Sequence, residues 1–226
     1  MDWKLYFEDG TLIVEGATCQ HLPAEFSWDP RIEAPRGPAY LYPIVVYKAL
    51  SSKIQYADHA RKWEKKLPIN HRVERQARDY QREAVESWHQ HQKRGVVVLP
   101  TGSGKSFVAE LCIAQLKRST LVIAPTLDLV GQWYDRLKLA FGQEIGLLGG
   151  GFHEIKDITV STYDSAMLYL AKYGNRFAFL IYDEVHHLPA PSNLSAAKMS
   201  MAPFRLGLTA TPEREDGRER LLQNVI

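Results

Sequence analysis

Short apolar runs alternate with segments of helical periodicity along most of this chain. The first clear case is the run Val96–Leu99, which is typical of a strand buried on both faces of a sheet. It is followed by Phe107, Val108, Leu111 and Cys112, which recur at the spacing of one helix face. The pattern therefore predicts a strand, a connecting loop and a helix.

The same alternation continues toward the C-terminus. Helical spacing predicts a second helix from Leu127 to Phe141. The apolar runs that predict further strands are Leu121–Ala124, Ile145–Leu148, Ile158–Val160, Phe177–Tyr182 and Phe204–Leu208. This order predicts an α/β fold, in which a parallel sheet has helices on both faces and ligands bind at the carboxyl ends of the strands.

The first 58 residues show a different pattern. Apolar and polar residues alternate on both sides of Asp9-Gly10, which predicts a β-hairpin. Phe26 and Trp28 suit a short edge strand, and residues 41–50 are compatible with either a helix or a strand. We expect a small α+β N-terminal domain in this part of the chain.

Composition excludes several classes of protein. A hydrophobic content of 45% is ordinary for a globular protein, and no apolar run is long enough to span a bilayer. We therefore expect no membrane partner. Cys19 and Cys112 are far apart and form no C-x-x-C pair, so the sequence indicates neither a disulfide framework nor a structural zinc site.

Basic residues are concentrated in one segment. The net charge is +2, but residues 59–82 hold 8 Lys and Arg against 3 Asp and Glu, whereas residues 1–58 hold 5 against 8. The basic segment fits either a nucleic-acid-binding stripe or a solvated connector. We predict an N-terminal domain over 1–58, a basic connector over 59–74 and the α/β domain over 75–226.

The loop between the first predicted strand and helix carries a phosphate-binding motif. Gly102 and Gly104 let backbone N–H groups curl around phosphate oxygens, and Lys105 adds a full positive charge. Ser106 would hold Mg²⁺ through its hydroxyl, although Leu99 stands where the strict motif has its first Gly. The candidate nucleotide-binding residues of the loop are Thr101, Gly102, Ser103, Gly104, Lys105 and Ser106.

Two carboxylates follow the predicted strand Phe177–Tyr182. Asp183 can accept hydrogen bonds from Mg²⁺-bound water, and Glu184 can orient a water molecule that attacks the γ-phosphate. Together with Lys105 they are the candidate catalytic residues, and Asp183 shares the predicted Mg²⁺ site with Ser106. The sequence lacks an H-E-x-x-H motif at this point, which disfavours a zinc protease.

A candidate adenine-binding segment precedes the phosphate loop. Asp79 is placed to cap a helix that continues through Trp88. The Gln81 amide can both donate to and accept from an adenine edge, and Arg78 lies beside it in the same motif. A glutamine on a helix surface is the alternative interpretation.

Polar residues also follow the other predicted strands. They comprise Pro125-Thr126, Gly149–Gly151, Ser161-Thr162-Tyr163 and Thr209-Ala210-Thr211. Since the carboxyl ends of parallel strands meet at one edge, we expect these segments to lie on the functional edge of the sheet. A plain exit from strand to loop is the alternative for Thr209 and Thr211.

Taken in order, these segments resemble the motifs of superfamily 2 helicases over about residues 75–216. The resemblance implies a RecA-like lobe that binds ATP and Mg²⁺, with Arg78 and Gln81 at the adenine. It also implies that Pro125, Thr126 and Thr162 contact the DNA backbone, and that Thr209 and Thr211 couple hydrolysis to strand movement.

The Asp183-Glu184-Val185-His186 form of the carboxylate motif and the triplet Arg214-Glu215-Asp216 resemble the XPB-type repair and transcription helicases. In that family the Arg-Glu-Asp triplet contributes to strand opening, and a small N-terminal domain is similar to a damage-recognition module. Residues 1–58 match that module in position, size and the Ser27–Arg31 segment.

The resemblance also implies parts that this sequence does not contain. Superfamily 2 helicases use a second RecA-like lobe, so we expect the chain to continue, and the present residues alone to be nearly inactive as an ATPase. The expected partners are single-stranded or distorted DNA and repair nucleases or transcription proteins, in the cytoplasm near the nucleoid of a prokaryote or in a eukaryotic nucleus. A restriction-enzyme motor, an RNA helicase lobe and a DNA-structure binding module are the alternatives.

Overall fold

The computed structural model describes residues 2–63, 66–72, 74–211 and 225–226, which form two β-sheets and the helices packed on them. The elements of the first sheet and its helix are β1 (Trp3–Glu8), β2 (Thr11–Glu15), β3 (Ser27–Asp29), β4 (Ala34–Pro38), α1 (Tyr42–Ser51) and β5 (Tyr56–Asp58). The strand order is β3-β4-β2-β1-β5, with β5 parallel to β1 and the other pairs antiparallel.

The predicted hairpin is confirmed. The short edge strand is confirmed for Trp28, whereas Phe26 precedes that strand and lies in the core of the first sheet. Asp9 and Gly10 connect β1 to β2 with φ of 46° and 72°, the left-handed region that such a turn requires. Trp28 lies in β3 at the edge of the sheet. Residues 41–50 fall largely in helix α1, whose buried positions Tyr42, Val45 and Ala49 have helical spacing.

The second sheet contains the predicted alternation of strands and helices. Its elements are α2 (Asp79–Gln90), β6 (Arg94–Val98), α3 (Lys105–Leu116), β7 (Thr120–Ala124), α4 (Leu127–Phe141), β8 (Gly146–Gly149), β9 (Phe152–Glu154), β10 (Ile158–Thr162), α5 (Tyr163–Tyr173), β11 (Phe179–Asp183), α6 (Pro191–Lys198) and β12 (Phe204–Thr209). The strand order is β6-β12-β11-β7-β10-β8-β9, and the paired strands are parallel except for the hairpin of β8 and β9.

Both faces of this sheet are buried. Val122 packs in a core that includes residues of α2, α3 and α4, whereas its neighbours Leu121 and Ile123 pack on the other face with residues of α5 and α6. The structure thereby confirms an α/β fold with helices on both faces of a mainly parallel sheet. Among the described residues, no helix is long and apolar enough to cross a membrane.

One expectation about the first strand is wrong. Strand β6 lies at the edge of the sheet and pairs with β12 alone among the described residues. Val97 is covered by the core that contains α2, but Val96 and Val98 face the other side and are 37% and 43% exposed. The apolar run Val96–Leu99 is therefore compatible with a strand at the edge of the sheet as well as with a central strand.

The basic segment and the two sheets are linked by specific contacts. The Leu67 N–H donates to the Lys117 carbonyl over 2.9 Å, and the Arg72 N–H donates to the Ala140 carbonyl over 2.7 Å. Between the sheets, the Asn175 amide donates to the Ala60 carbonyl over 2.7 Å, and Met201 lies in the core of the first sheet. Part of the basic segment thus packs along helices α3 and α4.

A fully buried guanidinium fixes the ends of several segments beside β12. The side chain of Arg205 donates to backbone carbonyls of Ala197, Ser200, Ala202 and Val225, over distances of 2.8 to 3.2 Å. Burial lowers its pKa below the usual value. In addition, the indole N–H of Trp88 on α2 donates to the Arg205 carbonyl over 2.9 Å.

Helix α4 offers a matched test of how the second core is packed. Leu137 is fully buried and Leu139, two residues later, is 73% exposed. We expect Leu137→Ala to lower the free energy of unfolding by about 2–5 kcal/mol, because it leaves a cavity in the core. Leu139→Ala should change it by less than about 0.5 kcal/mol. Urea denaturation followed by circular dichroism measures both, and similar losses for the two variants would contradict the described orientation of α4.

Candidate nucleotide and nucleic-acid site

The phosphate loop joins β6 to α3 in a conformation that its glycines permit. Gly102 and Gly104 have φ of 76° and 88°, and Gly104 is the N-cap of α3. The Lys105 ammonium donates to the Leu99 carbonyl over 3.2 Å, which places its charge inside the curve of the loop. Ser106 is the second residue of the helix. A phosphate at this position would meet the N-terminal N–H groups of α3 together with the Lys105 charge.

The first turn of α2 stabilises the phosphate loop through hydrogen bonds. The Gln81 amide, which is buried, donates to the Ser103 carbonyl over 2.9 Å and accepts from the Arg78 N–H over 3.1 Å. The Tyr80 hydroxyl donates to the same Ser103 carbonyl over 2.8 Å. The positive φ of Gly104 favours a glycine there, and a Cβ at this position would lie 2.6 Å from Gln81 Nε2 and would displace that amide from its hydrogen bonds.

These contacts give the predicted adenine-binding motif a structural role. Both ends of the Gln81 amide are bound to backbone groups, and the reading of an adenine edge stays a prediction. The Arg78 guanidinium is exposed and donates to the Tyr80 hydroxyl over 3.0 Å. The expectation that Asp79 caps the helix is wrong: Arg78 occupies the N-cap position, and Asp79 is the first helical residue, where it pairs with Arg82.

Asp183 lies at the carboxyl end of β11 and is almost completely buried. One carboxylate oxygen accepts from the Trp133 indole N–H over 2.8 Å, and the other accepts from the Glu184 N–H over 3.1 Å. Burial raises the pKa of Asp183, the Trp133 hydrogen bond lowers it, the Glu184 charge raises it and the Lys105 charge lowers it. The two predicted ATP-site charges, Lys105 and Asp183, are therefore brought within electrostatic reach of each other.

A chain of polar contacts leads from Glu184 to the end of β12. The Glu184 carboxylate is 3.3 Å from His186 Nδ1, and that nitrogen is 3.3 Å from the Thr209 hydroxyl. The Thr209 hydroxyl donates to the Thr211 carbonyl over 3.0 Å and accepts from its N–H over 3.2 Å. Glu184 itself has φ of 47°, an uncommon backbone conformation for a residue with a side chain.

The two predicted DNA-contacting threonines begin helices at the same edge of the sheet. The Thr126 hydroxyl accepts from the Leu129 N–H over 3.3 Å at the start of α4, and the Thr162 hydroxyl accepts from the Ser165 N–H over 3.1 Å at the start of α5. Pro125 precedes Thr126 directly after β7. The structure thus places these residues beside one another on neighbouring strands, whereas Arg214, Glu215 and Asp216 lie outside the described residues.

Reasoning from the sequence missed the aromatic groups that support the site. Trp133 lies on the apolar face that helical spacing predicts for residues 127–141, yet its indole N–H donates to the Asp183 carboxylate. The Tyr163 hydroxyl donates to the Asp183 backbone carbonyl over 3.1 Å, and Tyr80 supports the phosphate loop. An indole or phenol on a buried helix face is a signal for such a role, because its polar atom needs a partner.

Two family descriptions match this chain. Residues 74–214 match "Type III restriction enzyme, res subunit", and residues 5–60 match "Xeroderma pigmentosum group B helicase damage recognition domain". Each match covers one of the two sheets, and the first also includes the phosphate loop, Asp183 and Thr209.

Curated relatives carry XPB names. The DNA 3'-5' translocase XPB2 of Sulfurisphaera tokodaii is 49% identical over 144 residues, which are 64% of this chain and 33% of that protein. The DNA 3'-5' helicase XPB of Mycobacterium tuberculosis is 39% identical over 155 residues, which are 64% of this chain and 28% of that protein. The matched region thus spans a third or less of each of these relatives.

Solved structures share the fold at low sequence identity. The UvsW helicase of bacteriophage T4 has a TM-score of 0.56 and 18% identity, with 100% of this chain and 97% of that chain covered. The SWI2/SNF2 ATPase core of Sulfolobus solfataricus in complex with dsDNA has a TM-score of 0.60 and 19% identity, covering 72% of this chain and 38% of that chain. These neighbours confirm the RecA-like fold. The resemblance to XPB-type helicases is confirmed by the 49%-identical relative and by the damage-recognition match at residues 5–60. The protein belongs to the family described as the type III restriction enzyme res subunit.

Proposed function

We propose that this chain is the N-terminal part of an ATP-dependent DNA helicase or translocase of the XPB type that acts in DNA repair or transcription. The observation that carries the proposal is the polar path from Glu184 through His186 to Thr209 and Thr211. It connects the carboxylate that would face the γ-phosphate with the end of the neighbouring strand. A change at the nucleotide can thereby reach the edge at which DNA would bind.

The residues at the loop fit a Mg²⁺–ATP complex. Lys105 and the N-terminal N–H groups of α3 would hold the phosphates, and Ser106 and Asp183 offer the oxygen ligands that Mg²⁺ prefers. Thr101, Gly102, Ser103 and Gly104 supply the backbone of the cradle. When bound, Mg²⁺–ATP supplies the phosphoanhydride bond whose cleavage drives the motor. Within the described residues there is no cluster of three His, Cys, Asp or Glu side chains that would hold a metal without a nucleotide.

Each protein group would then have a separate task. Asp183, fixed by Trp133, would hold Mg²⁺ together with Ser106, and Glu184 would orient the water that attacks the γ-phosphate and would accept its proton. Thr126 and Thr162 lie at helix N-termini, where the helix dipole favours the DNA phosphates. Arg78 and Gln81 would lie at the adenine side of the loop. Arg214, Glu215 and Asp216 would contribute to strand opening.

The N-terminal sheet supports the XPB assignment over a restriction-enzyme motor or an RNA helicase lobe. Residues 5–60 match a damage-recognition domain, and a relative in Schizosaccharomyces pombe is named a subunit of general transcription and DNA repair factor IIH. We propose that residues 1–58 recognise distorted DNA, that 59–74 connect them to the ATPase lobe over 75–226, and that repair or transcription proteins are partners. The site of action would be the nucleoid, or the nucleus in a eukaryote.

Hydrolysis by this type of motor needs a second RecA-like lobe. That lobe supplies arginines to the nucleotide, and an arginine finger contributes about 10³- to 10⁵-fold to the rate. We therefore expect residues 1–226 to bind Mg²⁺–ATP, to hydrolyse it at close to the background rate and to unwind no DNA.

Lys105→Ala tests the nucleotide site. Because it removes a charged hydrogen bond to phosphate, we expect binding of a fluorescent ATP analogue in Mg²⁺ to weaken by about 10- to 100-fold. Lys117→Ala is the matched control, since Lys117 caps the opposite end of the same helix and donates to Asn70. DNA-stimulated hydrolysis by residues 1–226 that Lys105→Ala abolishes would contradict the need for a second lobe.

Trp133→Phe tests the support of Asp183. The variant keeps an aromatic ring but removes the hydrogen bond that lowers the pKa of Asp183, so that pKa should rise. Since a carboxylate must be deprotonated to bind Mg²⁺, Mg²⁺-dependent nucleotide binding should be lost at a higher pH than in the wild type. Fluorescence titrations across a pH series measure this midpoint. Trp28→Phe, which removes an exposed indole in β3 of the first sheet, should leave the midpoint unchanged. An unshifted midpoint in Trp133→Phe would refute the assigned role.

A further inference from the structure

The turn between β8 and β9 places an aromatic ring at the carboxyl edge of the second sheet. Gly149, Gly150 and Gly151 have φ of 123°, 62° and 87°, and the next residue is Phe152. The Phe152 side chain is 62% exposed, and Leu127 at the same edge is 56% exposed. The glycine turn thus presents Phe152 to solvent rather than to a core.

This turn is packed against the two helices that begin with the DNA-binding threonines. A Cβ at Gly149 would lie 2.6 Å from the Ser165 hydroxyl, and one at Gly150 would lie 3.1 Å from a methyl group of Leu127. On the other side of Phe152, His153 stacks on the Tyr169 ring of α5, with 4.7 Å between ring centroids and 22° between planes. The position of Phe152 is therefore fixed by contacts on both sides of it.

The charge of the surrounding surface is inconsistent with a purely ionic DNA contact. The loops 125–128, 149–153 and 162–165 contain no Lys or Arg, and they include Asp128 and Asp164. What these loops offer instead is two helix N-termini and exposed apolar groups, with Leu127 56% exposed next to the turn. DNA bound at these loops would form few ion pairs, so its affinity would need another contribution. The exposed apolar groups can supply it only by contact with the bases.

We propose that Phe152 stacks on an unpaired base of DNA bound along this edge, which makes the β8–β9 turn a determinant of preference for single-stranded over intact duplex DNA. The inference rests on the proposed function, because it takes the edge with Thr126 and Thr162 as the path of the DNA backbone. A phenyl ring stacks on any base, since every base has a π-face, so the contact is independent of sequence. In intact duplex DNA the bases are stacked on one another and are closed to the ring.

The experiment compares DNA binding by residues 1–226 and three variants. Fluorescence anisotropy with a labelled oligothymidine and with a blunt duplex measures the affinities. Phe152→Ala removes the ring, Phe152→Trp keeps a stacking surface, and Leu139→Ala removes an exposed apolar side chain from the far end of α4 as the matched control. Binding of a fluorescent ATP analogue and circular dichroism show whether each variant is folded.

We expect Phe152→Ala to weaken binding to the single strand by roughly five- to tenfold and to leave duplex binding unchanged, as for the loss of one base–aromatic stack. Phe152→Trp should retain the wild-type affinity, and Leu139→Ala should be indistinguishable from wild type. If folded Phe152→Ala binds the single strand as tightly as wild type does, the assignment of Phe152 is wrong while the proposed function stands. If wild type binds neither DNA, the proposed DNA-binding function itself is wrong and the inference fails with it.

Discussion

The hydrogen bond between the Trp133 indole and the Asp183 carboxylate is the contact on which the site depends most directly. A carboxylate at the end of a central strand is desolvated by the strands on either side, and this burial raises its pKa. The proposed binding of Mg²⁺ requires an ionised carboxylate, so this rise in the pKa of Asp183 has to be opposed. Donation by Trp133 and by the Glu184 N–H, and the nearby Lys105 charge, oppose part of that rise, and the pKa of Asp183 stays above its usual value. Because Trp133 lies on α4, the helix that also begins at Thr126 is tied to the carboxylate that we propose as an Mg²⁺ ligand.

A second constraint is the support of the phosphate loop by α2. The Gln81 amide and the Tyr80 hydroxyl both donate to the Ser103 carbonyl, so the loop conformation depends on where the first turn of α2 lies. The far end of the same helix is tied to β12 through the Trp88 indole and the Arg205 carbonyl. Helix α2 therefore connects the nucleotide loop with the strand that ends at Thr209. The segment from Arg78 to Gln81, for which adenine binding stays a prediction, is in this way a structural support of the phosphate loop.

The sequence predicted the order of strands and helices because local periodicity determines which faces are buried. It also predicted that Lys105, Asp183 and Thr209 lie at one edge of the sheet, since the carboxyl ends of parallel strands meet there. It did not predict that β6 is an edge strand with exposed Val96 and Val98, because apolar runs carry no information about neighbours in the sheet. The hydrogen bond between Trp133 and Asp183 joins residues that are 50 positions apart, and local sequence patterns do not predict contacts of this kind.

The buried guanidinium of Arg205 makes the local unfolding of the segments around it cooperative. Its donors are satisfied by carbonyls at 197, 200 and 202 and by the carbonyl at 225, so detachment of either segment leaves a buried donor without its partner. Such a loss costs about 1–3 kcal/mol for each group, and more for a charged one. Helix α6, strand β12 and Val225 should therefore exchange their amide hydrogens as one cooperative unit, while the exposed edge of β6 exchanges independently.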